Sequence, residues 1–237
     1  MDTPIKDHNV KAAALWNGGG RAYDKISRSI SGAIDHCVER LNPDPGERVA
    51  DVATGTGWTS RAVARLGATV VGVDIAEGLL SAAGEIAEEQ KLLIDYRRGD
   101  AEALPFKDGE FDAVISTFGV MFASDQQSAA SELARAVRSG GRLAIAAWVP
   151  ESNAVALRKV LQPYMAAPPA PPPPSPFVWG TRDWLTPALG HAFRLGFEGV
   201  LSFPAFPQPR KLGTNTPTAS GLSARPRPHS ASRRKMN

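Results

Sequence analysis

Cysteine is almost absent from this chain of 237 residues: Cys37 stands alone, which excludes an internal disulfide and any cysteine-rich metal site. His8, His36, His191 and His229 are scattered without ligand spacing, so no metal site is expected. The chain also lacks a long hydrophobic run. Leu143 to Val149 falls far short of the roughly 20 apolar residues that cross a bilayer, so no membrane span is expected. The first residues, Met1-Asp2-Thr3-Pro4-Ile5-Lys6-Asp7, carry no apolar signal segment, which reads against secretion and for a cytoplasmic protein. Acidic residues are missing after Glu198, whereas Arg210, Lys211, Arg225, Arg227, Arg233, Arg234 and Lys235 all follow it. Taking those seven from the 27 basic residues leaves 20 against 24 acidic ones, so residues 1–198 carry about −4 while the whole chain carries +3. The basicity belongs to the end of the chain.

What is present suits a packed domain: 43% of residues are hydrophobic and 22% charged. Ile26, Ile30, Ile34, Cys37, Val38 and Leu41 share one face of an expected amphipathic helix over 21–41, ended by Pro43, Pro45 and Gly46. From Arg48 the pattern alternates. Strands are expected at 48–53, 69–73, 92–98, 111–116 and 142–148, and helices at 58–66, 77–89 and 125–138, the last closed by Ser139-Gly140-Gly141 as a glycine C-cap. Apolar strands separated by helices imply an α/β, Rossmann-like parallel sheet with helices on both faces, binding ligands at the strands' carboxyl ends.

The stretch Val49-Ala50-Asp51-Val52-Ala53-Thr54-Gly55-Thr56-Gly57 runs from strand into a glycine-rich turn, and Asp74 ends the next strand. Glycines let backbone approach a ligand closely, and an acid at that place can accept from both hydroxyls of a ribose. Gly55-x-Gly57-x-x-Ser60 nearly fits the dinucleotide fingerprint, but Ser60 stands where the third glycine belongs. An NAD(P)-dependent oxidoreductase is therefore the alternative reading. Downstream, Gly99-Asp100-Ala101-Glu102-Ala103-Leu104-Pro105-Phe106 pairs a carboxylate with backbone N–H groups able to meet an adenine. Phe111-Asp112-Ala113-Val114-Ile115-Ser116-Thr117-Phe118-Gly119 leads from the fourth strand, and Gly140-Gly141-Arg142-Leu143 opens the fifth. Each acid also has a purely structural reading: a turn cap for Asp51, an N-cap for Asp74, a turn for Asp100. Trp16 and Tyr23 could be core packing.

Over residues 12–203 this set resembles the class I S-adenosylmethionine-dependent methyltransferases, particularly the small-molecule branch similar to ubiquinone and menaquinone biosynthesis enzymes. The resemblance implies S-adenosylmethionine as methyl donor and a small organic acceptor. It further implies that the turn matching Ala53, Thr54, Gly55 and Gly57 wraps the methionine part, with Asp51 near its amino group. Asp74, beside Ile75, would bind ribose; Asp100 and Ala101, beside Glu102, would bind adenine; Thr117 and Phe118 would line the sulfonium end. Trp16, in Leu15-Trp16-Asn17-Gly18-Gly19-Gly20, and Tyr23 match an N-terminal lid spanning 1–45. Aromatic faces attract a sulfonium cation by about 0.5–2 kcal/mol, and closure holds reactants in attack geometry. No catalytic base stands out. His191 and the region of Trp179 fall where such enzymes shape acceptor pockets.

The methyltransferase domain is expected to end near residue 203. Within it, residues 168–176 hold seven prolines and read as a stiff polyproline II connector. A short helix around 182–190 and a sixth strand over Phe193 to Phe203 should follow. The family's sheet has seven strands, but nothing over Arg210 to Asn237 resembles the seventh. From Pro204 the composition turns to Pro, Ser, Thr, Gly and Arg, so 204–237 is expected to be a disordered basic tail. The change after Phe206 is what a shifted reading frame or altered terminus would give. A nucleic-acid binder using the tail is a third reading, disfavoured by the acidic body and the lack of basic–aromatic interleaving.

Overall fold

Five short helical pieces precede the sheet in the computed structural model, which describes residues 5–164 and 174–200. A 3-10 turn at Asp7–Asn9 leads into α1 (Val10–Asn17), and a second at Gly20–Tyr23 leads into α2 (Asp24–Ser29) and α3 (Ser31–Leu41). The single helix expected over 21–41 is broken at Ile30, whose backbone leaves the helical region. The Ser29 hydroxyl donates to the Ile26 carbonyl at 2.7 Å and closes α2. The apolar stripe divides at that break. Ile34, Cys37, Val38 and Leu41 are buried in the core, whereas Ile26 stays 53% exposed. Asn42, left-handed at φ 47°, caps α3 before Pro43.

Then come β1 (Arg48–Val52), α4 (Trp58–Ala64), β2 (Thr69–Asp74), α5 (Glu77–Glu89), β3 (Ile94–Arg98), β4 (Phe111–Thr117), α6 (Gln126–Ala136) and β5 (Val137–Ala146). After them lie α7 (Asn153–Leu161) and α8 (Arg182–Leu189). Among the described residues the five strands form one parallel sheet in the order β3-β2-β1-β4-β5. Successive residues of a strand point to opposite faces, and the burial follows. Val49, Val70, Ala113 and Ile115 pack with α3 and α4 on one face. Ala50, Val52, Val71, Val73 and Val114 pack on the other with Leu133 of α6 and Leu189 of α8. At roughly 25 cal/mol per Å2 of apolar surface, such two-sided burial dominates the stability of the sheet.

Three expectations are corrected. Ser139-Gly140-Gly141 is not a helix cap: α6 ends at Ala136, Val137 already pairs with Phe111, and the glycines form a bulge within β5. Gly140 takes φ 74°, and a Cβ on Gly141 would lie 2.7 Å from the Asp112 carbonyl oxygen, so only glycines pass there. Leu66, expected to face inward, lies beyond α4 and is exposed. The sixth strand does not form over 193–200, where side chains hold the backbone instead. The Arg182 guanidinium sits over the Phe197 ring, and Glu198 pairs with His36 and Arg40 of α3. Among the described residues no strand follows β5. Residues 168–173 of the proline run, the rest of the expected sixth strand and the basic tail lie outside the described residues.

The sheet order places a switch point between β1 and β4: the chain winds outward to β2 and β3, then returns to the opposite side of β1. Ligands of open α/β sheets sit at that crevice.

Candidate functional site

Backbone geometry singles out the crevice before any side chain does. Among the described residues four non-glycine residues have positive φ, and two of them, Ala53 (φ 57°) and Phe118 (φ 59°), follow the ends of β1 and β4. Such conformations cost on the order of 1–3 kcal/mol each and persist where the surroundings impose them. Here the imposing contact is Gly119, whose Cβ would stand 2.5 Å from the Cβ of Ala53. The two turns are pressed together with no room for a side chain between them. Ser116 completes the clamp, its hydroxyl donating to the Val52 carbonyl at 2.7 Å.

Above these turns lies a cleft with about 1000 Å3 of empty space, its open mouth included. Ala53, Thr54 and Gly55 line it after β1, Asp74 and Ile75 after β2, Asp100, Ala101 and Glu102 beyond β3, and Thr117 and Phe118 after β4. Trp16 and Tyr23 reach it from the N-terminal segment, their rings edge to face at 5.9 Å. Twelve of the fourteen residues picked out in sequence thus converge. Asp51 and Gly57 do not line the cleft. Gly57 (φ 76°) lies behind the turn, where a Cβ would stand 2.2 Å from the Tyr96 hydroxyl, so its smallness serves helix–strand packing. Trp179 is buried in the core beside Trp184, and His191 is exposed; neither lines the cleft.

Asp74 is 7% exposed and accepts from the Gly55 N–H at 2.8 Å and the Ala76 N–H at 2.9 Å, one on each oxygen. Burial pushes its pKa up, and the backbone donors at Ala76, Gly55 and Ile75 oppose the rise. Each oxygen keeps a further lone pair for a ligand hydroxyl. Asp51 is buried to 1% exposure, and its Oδ2 accepts from Thr54 Oγ1 at 2.6 Å and Ser60 Oγ at 2.7 Å. The residue in place of the third glycine is thus a donor to the buried acid. Among the described residues Asp51 Oδ1 has no hydrogen-bond partner. Burial raises the Asp51 carboxyl to about 6, the Thr54 and Ser60 hydroxyls holding it from rising further.

Asp100 meets its own chain. Its Oδ2 accepts from the Lys6 N–H at 3.1 Å and the Asn9 side-chain amide at 2.9 Å, and its Oδ1 from the Glu102 N–H at 3.0 Å. Asn9 in turn accepts from the Ser124 hydroxyl at 2.7 Å. Glu102 bonds His8 Nε2 at 2.7 Å and the Asp125 N–H at 2.8 Å. Sequence reasoning missed Asn9, and also Ile30, Ile34, Trp58 and Thr59, which line the cleft too, Ile30, Ile34 and Trp58 belonging to the apolar cluster on the α3–α4 face. The break at Ile30 would have been the clue, since a stripe that leaves its helix can face something other than the core.

Residues 50–145 match the family described as Methyltransferase domain. A Mycobacterium tuberculosis protein, itself uncharacterized, is 37% identical over 194 residues, covering 80% of this chain and 70% of its own. The chain belongs to the class I S-adenosylmethionine-dependent methyltransferases. Demethylmenaquinone methyltransferases of Renibacterium salmoninarum and Corynebacterium kroppenstedtii are 38% and 34% identical, each over 57% of this chain and 58% of theirs. Solved structures share the fold as well. A methyltransferase from Aquifex aeolicus superposes with TM-score 0.52 at 20% identity, covering 69% of this chain and 81% of that one. The MccD protein superposes at 0.54 with 24% identity, covering 69% and 72%. Among the described residues no helix is long and apolar enough to cross a membrane.

The methyltransferase cleft fits the cofactor that its family implies. Gly55 (φ 57°) presents bare backbone to the cleft, Asp74 keeps acceptor capacity for two hydroxyls, and behind the turn Asp51 Oδ1 is a buried acceptor with no donor among the described residues.

Proposed function

We propose that this methyltransferase moves a methyl group from S-adenosylmethionine to a small organic acceptor by in-line displacement. The observation that carries the reading is the convergence of the glycine turn, Asp74 and Asp100 on one cleft at the switch point of the sheet. Bound there, the cofactor would supply an electrophilic methyl on a sulfonium. The chain's residues divide the remaining work. Asp74 accepts from the ribose hydroxyls while Gly55 gives the ligand access to backbone. Ala101 and the Asp100 segment bound the adenine side, and Asp51 supplies negative charge behind the turn for the ammonium group. Trp16 and Tyr23, on an N-terminal lid, exclude water and place aromatic faces near the cation.

The acceptor belongs at the end lined by Ile26, Ile30, Ile34, Trp58 and Phe118, where Ser27, Thr59 and Thr117 supply only neutral hydroxyls. Thr59 and Thr117 bond each other at 2.6 Å. That lining suits an acceptor with an apolar body whose own phenol, thiol or activated carbon acid is the nucleophile, so that positioning replaces general-base help. A cytoplasmic location is part of this reading.

Isothermal titration of S-adenosylhomocysteine and of NAD(H) against the purified chain tests it. Saturable binding of the nucleoside without NAD(H) binding supports the proposal, and the reverse pattern transfers the cleft to a dehydrogenase. Labelled donor with a panel of phenol, thiol and carbon-acid acceptors then identifies the reaction.

A further inference from the structure

Arg61, on α4, is only 2% exposed and lies outside the cleft lining. Its Nη1 donates to the Thr56 carbonyl oxygen of the glycine turn at 2.5 Å, and its Nη2 to Asp24 Oδ1 at 2.8 Å. Thr56 Oγ1 donates to the same Asp24 oxygen at 3.1 Å. The guanidinium also sits 5.5 Å from the ring centroid of Trp58, a residue of the cleft wall. One buried cation therefore touches the turn, the wall and the N-terminal segment.

Asp24 is the residue after Tyr23. The stretch Gly20–Tyr23 and α2 contain no fully buried residue, and the aromatic contact that Tyr23 makes is with Trp16, itself part of the N-terminal segment. Arg21 pairs with Glu85 and Glu89 at the surface, where ion pairs contribute little. The Asp24–Arg61 pair is different, because losing Asp24 leaves the buried Arg61 charge without its counter-ion. What it holds is the Tyr23 ring, whose nearest atom lies 3.7 Å from the place a Gly55 Cβ would take.

We infer that Asp24 and Arg61 are positioning residues of the cofactor cleft, an ion pair that sets Tyr23 over the glycine turn while tying down the turn's Thr56 carbonyl. The inference rests on the cofactor reading above, and its test separates the two. S-adenosylhomocysteine affinity is measured for the wild type, Asp24→Ala, Asp24→Asn, Tyr23→Ala and the Tyr23→Ala/Asp24→Ala double variant. Amide exchange over residues 20–29 is followed in the ligand-free proteins.

Asp24→Ala should weaken binding about 10-fold and speed exchange over 20–29, while Asp24→Asn, which keeps an acceptor for Arg61, should recover most of both. The double variant should bind no more weakly than the weaker single one by over about 2-fold, because both changes remove the same placement. Wild-type affinity in Asp24→Ala, or effects that multiply in the double variant, would overturn the inference, even with a lowered melting temperature. Should Asp24→Ala not fold, Asp24→Asn carries the test: it must then show some weakening together with faster exchange, and unchanged values overturn the inference. Absence of nucleoside binding by the wild type would instead defeat the cofactor reading, leaving exchange to decide whether Asp24 anchors the segment.

Discussion

At one end of the cleft Asp74, Asp100 and Glu102 are held by backbone N–H groups and by Lys6, His8 and Asn9. Ile30, Ile34, Trp58 and Phe118 belong instead to the apolar cluster on the α3–α4 face and with Ile26 form a wall of the same cleft, accompanied by the neutral hydroxyls of Ser27, Thr59 and Thr117. The contrast is one of recognition chemistry. Fixed charges and backbone donors at known places select one ligand sharply, because an unmatched buried acceptor is costly. An apolar wall discriminates by volume and shape, with only about 1–3 kcal/mol available per methylene. The sheet makes such a division possible by placing β2 and β4 on opposite sides of β1.

The severest way to break the polar end is from behind. Gly57→Ala puts a Cβ against Tyr96 at a positive φ and should cost about 3 kcal/mol or more in urea unfolding. A cost under about 1 kcal/mol would mean that Tyr96 moves freely and the turn is not tightly packed.

The buried acid of that end gives a pH signature of nearly the same size. Asp51 titrates at about 6 in the folded chain against an ordinary 3.8. A raised folded pKa contributes stability that is fully present below 3.8 and is lost as pH rises through about 6. Two pH units at 1.36 kcal/mol each make this about 3 kcal/mol. Acids held low by a cation, such as Glu47 beside Arg142, run in the opposite direction. The informative quantity is therefore the difference between wild type and Asp51→Asn, which should shift in the variant's favour by about 3 kcal/mol between pH 3 and pH 7. S-adenosylhomocysteine should also bind more weakly below pH 6, as Asp51 loses the charge that its ammonium needs. A flat difference profile would show that Asp51 is solvated or paired.

Asp74→Ala should weaken S-adenosylhomocysteine by about 1–3 kcal/mol, read by titration calorimetry. Unchanged affinity in a folded variant would remove Asp74 from the site. The smallest effect sharpens the contrast. Ile30→Ala, at the apolar end, should alter nucleoside affinity by less than about 0.5 kcal/mol while changing KM for whichever acceptor is found. An equal effect on both ligands would erase the distinction between the ends.

How far the sequence reaches can be judged residue by residue. Helix α5 falls at 77–89 as its apolar spacing predicts, and β1, β2 and β4 agree within a residue, because period and turn chemistry are local. Asp74 was legible from its place at a strand end. Asn9 was not: a lone asparagine near the N-terminus carries no pattern, and only folding brings it to Asp100, 91 residues away. The Asp24–Arg61 pair is hidden for the same reason, its charges looking like ordinary surface residues in a helical pattern. The glycines of β5 misled because a cap and a bulge use the same residue type for the same freedom at positive φ.

Alone, the sequence determined the alternation of strands and helices, the glycine turn and the acids that follow the strands, since all depend on spacing along one segment. Only the tertiary structure decided which residues share the cleft, which lie behind it, and where Asp100 finds its partners. Those outcomes depend on distances between segments, set by how the strands are ordered and how the N-terminal helices lie against them, and no local period encodes them.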